Sequence, residues 1–390
     1  MSTLDISNLI AQVQIKVVDG AYQAAFNGRH FRIQPRMYEA LGVLQEDGVD
    51  AGSERLMERW GIAPESRPSF KTELLEQVAR LAPERASTSY IQASVTVLPA
   101  SLVQRLSVHL ALLFRRPVVW TVCLLALLVL GDLFLFHQVG GTQLRSLDLS
   151  GRDLLMGYLC VLAVLLFHEL GHAAGMRHVG QPPHEIGFGF YLIFPVFFAN
   201  VSNAWLVDRH SRFVVNLGGI YFQLLASVIL YIGIALTEGH TQAWLSLAFK
   251  SNLATALFVL IPFIRNDGYW LLADFLGLHD LYQRAGGMCW IVYRKLREKA
   301  AISGTEWFIA VYAVCNYSFL GFVCYGLLNS SYRNFSQTLE ILVHHSWEFL
   351  ALEHPRLLVS STISLVVLFF FTRPFLLRAY THVKSRFQTT

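Results

Sequence analysis

The sequence predicts a mainly α polytopic membrane helical bundle of about six spans, with a re-entrant β segment inside it and a small α+β N-terminal cytosolic domain. Three observations carry that prediction. Mean hydropathy is +0.44, and 54% of residues are hydrophobic while 15% are charged, against roughly a quarter charged in soluble domains. Apolar runs of about twenty residues, the length that crosses a bilayer, recur from Pro117 onward. The first part of the chain is different material, charged throughout and polar in alternation.

A chain of 390 residues has room for several spans and one small domain. The net charge of +4 is no nucleic-acid signal, because the Lys and Arg sit mostly beside apolar runs, where orientation in the membrane explains them. Five cysteines (Cys123, Cys160, Cys289, Cys315 and Cys324) lie mostly in apolar segments without paired spacing. They read as small buried hydrophobes, so neither a disulfide framework nor redox chemistry is expected. No apolar stretch with a cleavage site opens the first hundred or so residues, and insertion is expected to rely on internal spans.

Residues 1–85 read as a small module of strands followed by helices. Strands are expected over 12–18 and 22–33, with turns at Asp19-Gly20 and Asn27-Gly28, a strong hairpin signal. Helices are expected over 35–46, 53–60 and 71–81. The module vaguely resembles winged-helix peptide-recognition domains of peptide-modifying pathways; a plain structural appendage is the equal alternative. Residues 86–116 form a connector in which 101–114 carry apolar residues at helical intervals, as an interfacial helix does.

The membrane domain is expected over 117–390, with its core at about 154–278. Spans are expected at 117–136, 154–176, 213–236, 244–264, 307–328 and 357–371, with an amphipathic surface helix over 334–354. Residues 181–205 hold too many Pro and Gly for a long helix and too many aromatic and β-branched residues for a plain loop. A hairpin or re-entrant segment fits them, with an interfacial loop as the alternative. A strand edge there would suit an extended peptide. Arg and Lys crowd one set of loops, from Arg177, Arg209 and Arg212 through Arg294 and Lys295 to Lys384, while Arg145, Arg152, Arg333 and Arg356 face the other way. The bias places both termini on the cytosolic side of a cell (inner) membrane.

The second span runs without a break into His168-Glu169-Leu170-Gly171-His172. On a helix His168 and His172 share one face, where two imidazoles hold one metal ion while Glu169, one step round, reaches a water on that ion. With 14 His and 16 Glu in the chain, the spacing arises by chance about 0.02 times. Ionisable groups at bilayer depth default to function, and the chemistry implied is zinc-assisted hydrolysis.

Catalytic zinc takes three protein ligands plus water, and two candidates compete for the third place. His178 completes an extended pattern in which a glycine three residues after the second His, here Gly175, breaks the helix so that a third His folds back. If the helix continues instead, His178 lies about 15 Å along the axis and points elsewhere. Asp267 is favoured: it sits between Pro262 and Gly268 at the end of a span, where the helix opens and a carboxylate can turn into the bundle. Asp274 is seven residues on, a partner that orients a ligand or, more simply, a solvated helix acid.

These residues resemble the site-2 proteases, polytopic zinc metallopeptidases that cut within or beside the membrane, in the branch linked to peptide maturation or export. The likeness rests on FHELGHAAGMRHVG, GFGFYLIFPVFFANVSNAW, NLGGIYFQLLAS and LIPFIRNDGYWLLADFLG, about one third of the chain. It implies His168, His172 and Asp267 as zinc ligands, Glu169 as general base, and a re-entrant β segment between the motif spans. It also implies a membrane-anchored protein or a precursor peptide as substrate. Leu260 and Ile261 stand where many relatives carry an Asn before the Pro, so Asn216 or Asn266 is the candidate for substrate-backbone contact. The usual inserted peptide-binding domain is not evident, which passes substrate selection to the N-terminal module. Rival readings are a non-catalytic membrane binding or immunity protein on the same fold, an ion-relaying transporter, and lipid hydrolysis.

Overall fold

In the computed structural model, residues 3–26, 29–79, 91–136, 151–191, 194–278 and 281–344 are described, with isolated positions between 347 and 369. The chain divides into two compact units, one of Met1–Gly189 with Val196–Leu278, the other of Phe190–Pro195 with His279–Thr390.

The first unit opens with helix α1 (Thr3–Gln12), then β1 (Gln14–Val18), β2 (Ala21–Phe26) and β3 (Arg29–Arg32), and then α2 (Pro35–Asp47), α3 (Val49–Arg59) and α4 (Arg67–Ala79). The strands form an antiparallel sheet in the order β1-β2-β3, with Val18 opposite Ala21 and Gln23 opposite Arg32. Asp19 and Gly20 both hold positive φ, 50° and 75°, the backbone a two-residue hairpin turn demands. Pro35 starts α2, where its missing N–H costs nothing. Leu9 and Ile10 of α1, with Val13 just after it, pack with Ala24, Leu41, Leu44, Leu56 and Val78. Gln45 Nε2 donates to the carbonyls of Ile10 and Val13 at 2.9 and 2.6 Å, satisfying acceptors at the end of α1. The Asn27-Gly28 turn and residues 80–90 lie outside the described residues.

There follow β4 (Ile91–Leu98), α5 (Ala100–Leu110), a 3₁₀ turn at Ala111–Phe114, α6 (Arg116–Phe136), α7 (Gly151–His178), β5 (Ile186–Tyr191), β6 (Phe194–Ala199), α8 (Arg209–Leu236), α9 (Gly239–Val259) and α10 (Asp267–Leu276). Strand β4, absent from the sequence expectation, joins the β5–β6 hairpin in a sheet of order β4-β5-β6. Asp208 caps α8 by accepting from the backbone N–H of His210 and Ser211. A methyl group on Gly171 would lie 2.3 Å from the Gly218 carbonyl, and one on Gly218 would lie 2.4 Å from that of Gly171. Helices α7 and α8 therefore touch backbone to backbone, the close approach that small residues permit between helices in lipid. Asp132, near the far end of α6, accepts from Tyr231 Oη at 2.5 Å, tying α6 to α8.

The second unit contains α11 (Leu281–Ala285), α12 (Met288–Arg297) and α13 (Gly304–His344). Lys295 of α12 pairs with Glu306 of α13 at 2.6 Å.

The chain is mainly helical, and four helices among the described residues are long and apolar enough to cross a membrane: Arg116–Leu135, Gly151–His178, Arg209–Leu236 and Gly304–His344. Two of the expected spans differ in detail. The fourth expected span is helix α9, whose Ser246, Lys250 and Asn252 make it too polar for that class; Ser246 and Asn252 are buried, and Asn252 Nδ2 donates to the Gln223 carbonyl and Ser227 Oγ of α8, both at 2.8 Å. The fifth span and the start of the amphipathic surface helix are one continuous helix, α13. The sixth expected span falls largely outside the described residues.

Candidate metal centre

Helix α7 brings its two histidines together by spacing alone, and Nε2 of His168 lies 3.2 Å from Nε2 of His172. Asp267 reaches the same point from a different element. Past the end of α9, Asn266 Nδ2 reaches back to the Phe258 carbonyl at 3.0 Å. Gly268 is pressed so close that a methyl group there would sit 2.4 Å from the Leu260 carbonyl. The Asn-Asp-Gly corner is thus fastened to the end of α9, and Asp267, the first residue of α10, turns inward. Its Oδ2 lies 3.1 Å from each histidine Nε2.

The donor set fits a cation. His172 Nδ1 faces the Val215 carbonyl at 2.9 Å. A carbonyl only accepts, so that nitrogen carries the proton and the Nε2 lone pair faces the cluster. Asp267 Oδ2 is buried with no hydrogen-bond partner, and leaving a buried carboxylate oxygen unpaired is costly. His168, His172 and Asp267 are the one group of ligand-type side chains among the described residues able to hold a metal, their ligand atoms lying within 4.8 Å of one another. Zinc, which takes imidazole nitrogen and carboxylate oxygen and keeps a fourth position for water, suits that set. Both histidines are buried, whereas 21% of the Asp267 side chain is exposed, so the cluster is most open on the Asp267 side.

Gly219 of α8 closes the opposite wall. A methyl group on it would lie 2.5 Å from His168 Cε1 and from His172 Nε2, and 2.7 Å from His168 Nε2. Glu169, beside the first histidine, accepts from the Ala199 N–H of β6 at 2.7 Å through Oε2. That bond fixes one oxygen of the carboxylate.

The remaining sequence candidates go elsewhere. Helix α7 runs unbroken through Gly175, where a methyl group would lie 3.1 Å from Val215 Cα. His178 is therefore not with the other histidines; its exposed ring stacks on Phe114 at 5.3 Å. Asp274 is not a solvated acid: it is buried and paired with Arg212 at 2.9 Å. Asn216 donates to the other oxygen of Asp274 at 2.9 Å, and Asn266 braces the loop as described. Sequence reasoning missed Gly219, Val215, Ala199 and Arg212. A stripe of small residues facing the motif helix hinted at Gly219, while Val215 and Ala199 act through backbone groups that leave no signature.

Two imidazoles on one helix, an inward carboxylate from another and an acid beside them form a group able to hold a metal ion, carried by a chain with membrane-length helices. The chain is 31% identical over 130 residues to the Bacillus subtilis (strain 168) protein named "Putative peptide zinc metalloprotease protein YydH", covering 33% of this chain and 50% of that one. It thus spans about half the length of the curated relative it matches. No family model matches the chain. No solved structure matches it either.

Proposed function

We propose that the protein is a membrane-embedded zinc metallopeptidase of the site-2 protease kind, hydrolysing peptide bonds of a membrane-associated protein or a small precursor peptide. The observation that carries this reading is the meeting of His168 Nε2, His172 Nε2 and Asp267 Oδ2 beside Glu169. The name of the Bacillus relative supports the metal and the peptide chemistry. Zinc bound there supplies Lewis acidity, lowering the pKa of water to about 7 and polarising a carbonyl. Glu169 takes the proton of the attacking water on Oε1 and returns it to the leaving amine. Helical peptide bonds are shielded, so the substrate must be extended. Strand β6 ends its sheet among the described residues, and an extended segment adding along Val196–Ala199 would pass beside Glu169. The Arg and Lys bias of the loops supports a cytosolic position for both termini, with the N-terminal domain on the same side as Asp267.

The test is zinc content and cleavage of a membrane-anchored peptide in detergent, for wild type, Glu169→Gln, Asp267→Ala and His178→Ala. The reading expects Glu169→Gln to hold zinc without cleaving, Asp267→Ala to lose both, and His178→Ala to keep both. Turnover by Glu169→Gln at the wild-type rate would refute the assigned base. A wild type that folds without zinc would leave a non-catalytic binding protein as the better account.

A further inference from the structure

Arg212, counted in the sequence among the cytosolic loop charges, lies in the first turn of α8 and is 3% exposed. Its guanidinium reaches three parts of the chain. Nε donates to Asp274 of α10 at 2.9 Å, Nη1 to the Val207 carbonyl at 2.8 Å, and Nη2 to Asp19 of the β1–β2 turn at 3.3 Å. Its flat face covers Trp205 at 5.4 Å. Asp19 also accepts from the Arg209 N–H at 3.2 Å. The turn of the N-terminal domain is thereby clipped to the start of α8.

The far side of the same clip bears on the metal centre. Asp274 stands two turns after Asp267 on α10, so the two acids share a face, and Asn216 holds the second oxygen of Asp274. Between Arg212 and Asn216 lies Val215, whose carbonyl orients His172. One stretch of α8 therefore holds two of the three ligands, His172 directly and Asp267 through the helix it begins. A buried ion pair adds little net stability over apolar packing. What this one supplies is position, since a metal site tolerates ligand displacements of only about 0.2 Å.

We propose that Arg212 is a positioning residue: with Asp274 it sets the carboxylate of Asp267, and through Asp19 it makes metal retention depend on the docked N-terminal domain. This rests on the zinc reading of the site. The full chain in detergent is tested by chelator competition for zinc and by the visible spectrum of the cobalt-loaded protein, with limited proteolysis as the check on folding. Asp274→Asn is expected to weaken zinc binding about 10- to 100-fold, as loss of an outer partner of a metal ligand does, and to shift the cobalt spectrum. Asp19→Gly, which keeps a turn of positive φ that glycine accepts readily, should weaken zinc binding about tenfold. Asp47→Asn, which breaks the exposed pair with Arg55, is the control and should change neither readout. Wild-type affinity and spectrum in folded Asp19→Gly and Asp274→Asn overturn the proposal while the zinc reading stands. Loss in Asp274→Asn alone overturns the dependence on the N-terminal domain. A wild type without zinc removes the reading and this inference together.

Discussion

Replacing Gly219 by alanine tests the geometry of the centre without touching a ligand. The added methyl group would lie 2.5 Å from His168 Cε1 and His172 Nε2, about 0.9 Å inside the 3.4 Å at which ordinary contact begins. Relief must come from the imidazoles or from α8. The α8 backbone is held against Gly171, so the rings give way, by several times the tolerance of a metal–ligand bond. Overpacking of this kind costs about 1–3 kcal/mol, and at 1.4 kcal/mol per factor of ten the upper end corresponds to roughly a hundredfold weaker zinc binding. The assay is zinc retained by purified protein after dialysis against graded chelator. Gly233→Ala serves as reference, since on the same helix its methyl group would meet only the tip of Leu245, at 3.1 Å. Gly219→Ala holding zinc as tightly as Gly233→Ala would refute the placement of both imidazoles against α8.

Three further outcomes are expected. His178→Ala should retain full zinc and lose only the stack on Phe114, about 0.5 kcal/mol in thermal unfolding. Tyr231→Phe leaves Asp132 without its donor and should lower stability by about 1.5–3 kcal/mol, the range for a hydrogen bond to a charged group, with metal content unchanged. The third concerns Asp208, whose carboxyl is held below its ordinary value of 3.8 by the Ser211 hydroxyl, which donates to it, and by the backbone N–H groups of Ser211 and His210. Its stabilisation of α8 is complete above that ordinary value and is lost as pH falls through the lower folded one. Asp208→Ala should thus cost about 1 kcal/mol at neutral pH, and the gap from wild type should close on acidification. A gap that persists unchanged in acid would show that the cap does not act through its charge.

What was legible in the sequence followed from short range. The spacing of His168 and His172 is fixed by the helix, and Asp19-Gly20 fixes its own hairpin, so both could be read without knowing the fold. Helix α1 and strand β4 could not, because neither is stabilised locally. The first depends on burying Leu9 and Ile10 against α2 and α4, and the second on pairing with a hairpin almost a hundred residues on.

The same division separates Asp267 from Asp274. Pro262 and Gly268 announce that the chain opens at Asp267, which made it a candidate ligand. Nothing near Asp274 announces Arg212, 62 positions earlier in the chain, so a surface acid was the natural reading. Positive charge misled in the same way: counted along the loops, Arg212 belongs with the cations that orient a membrane protein, yet its guanidinium is spent on two carboxylates and a carbonyl. Charge counts assume that each basic group faces water or lipid headgroups. They fail where a basic residue opens a helix whose first turn is covered by another domain, and here the cover is the turn that presents Asp19. The residues that could accept chemistry were therefore visible from local pattern, while those that aim them were fixed only once α8, α10 and the N-terminal sheet had met.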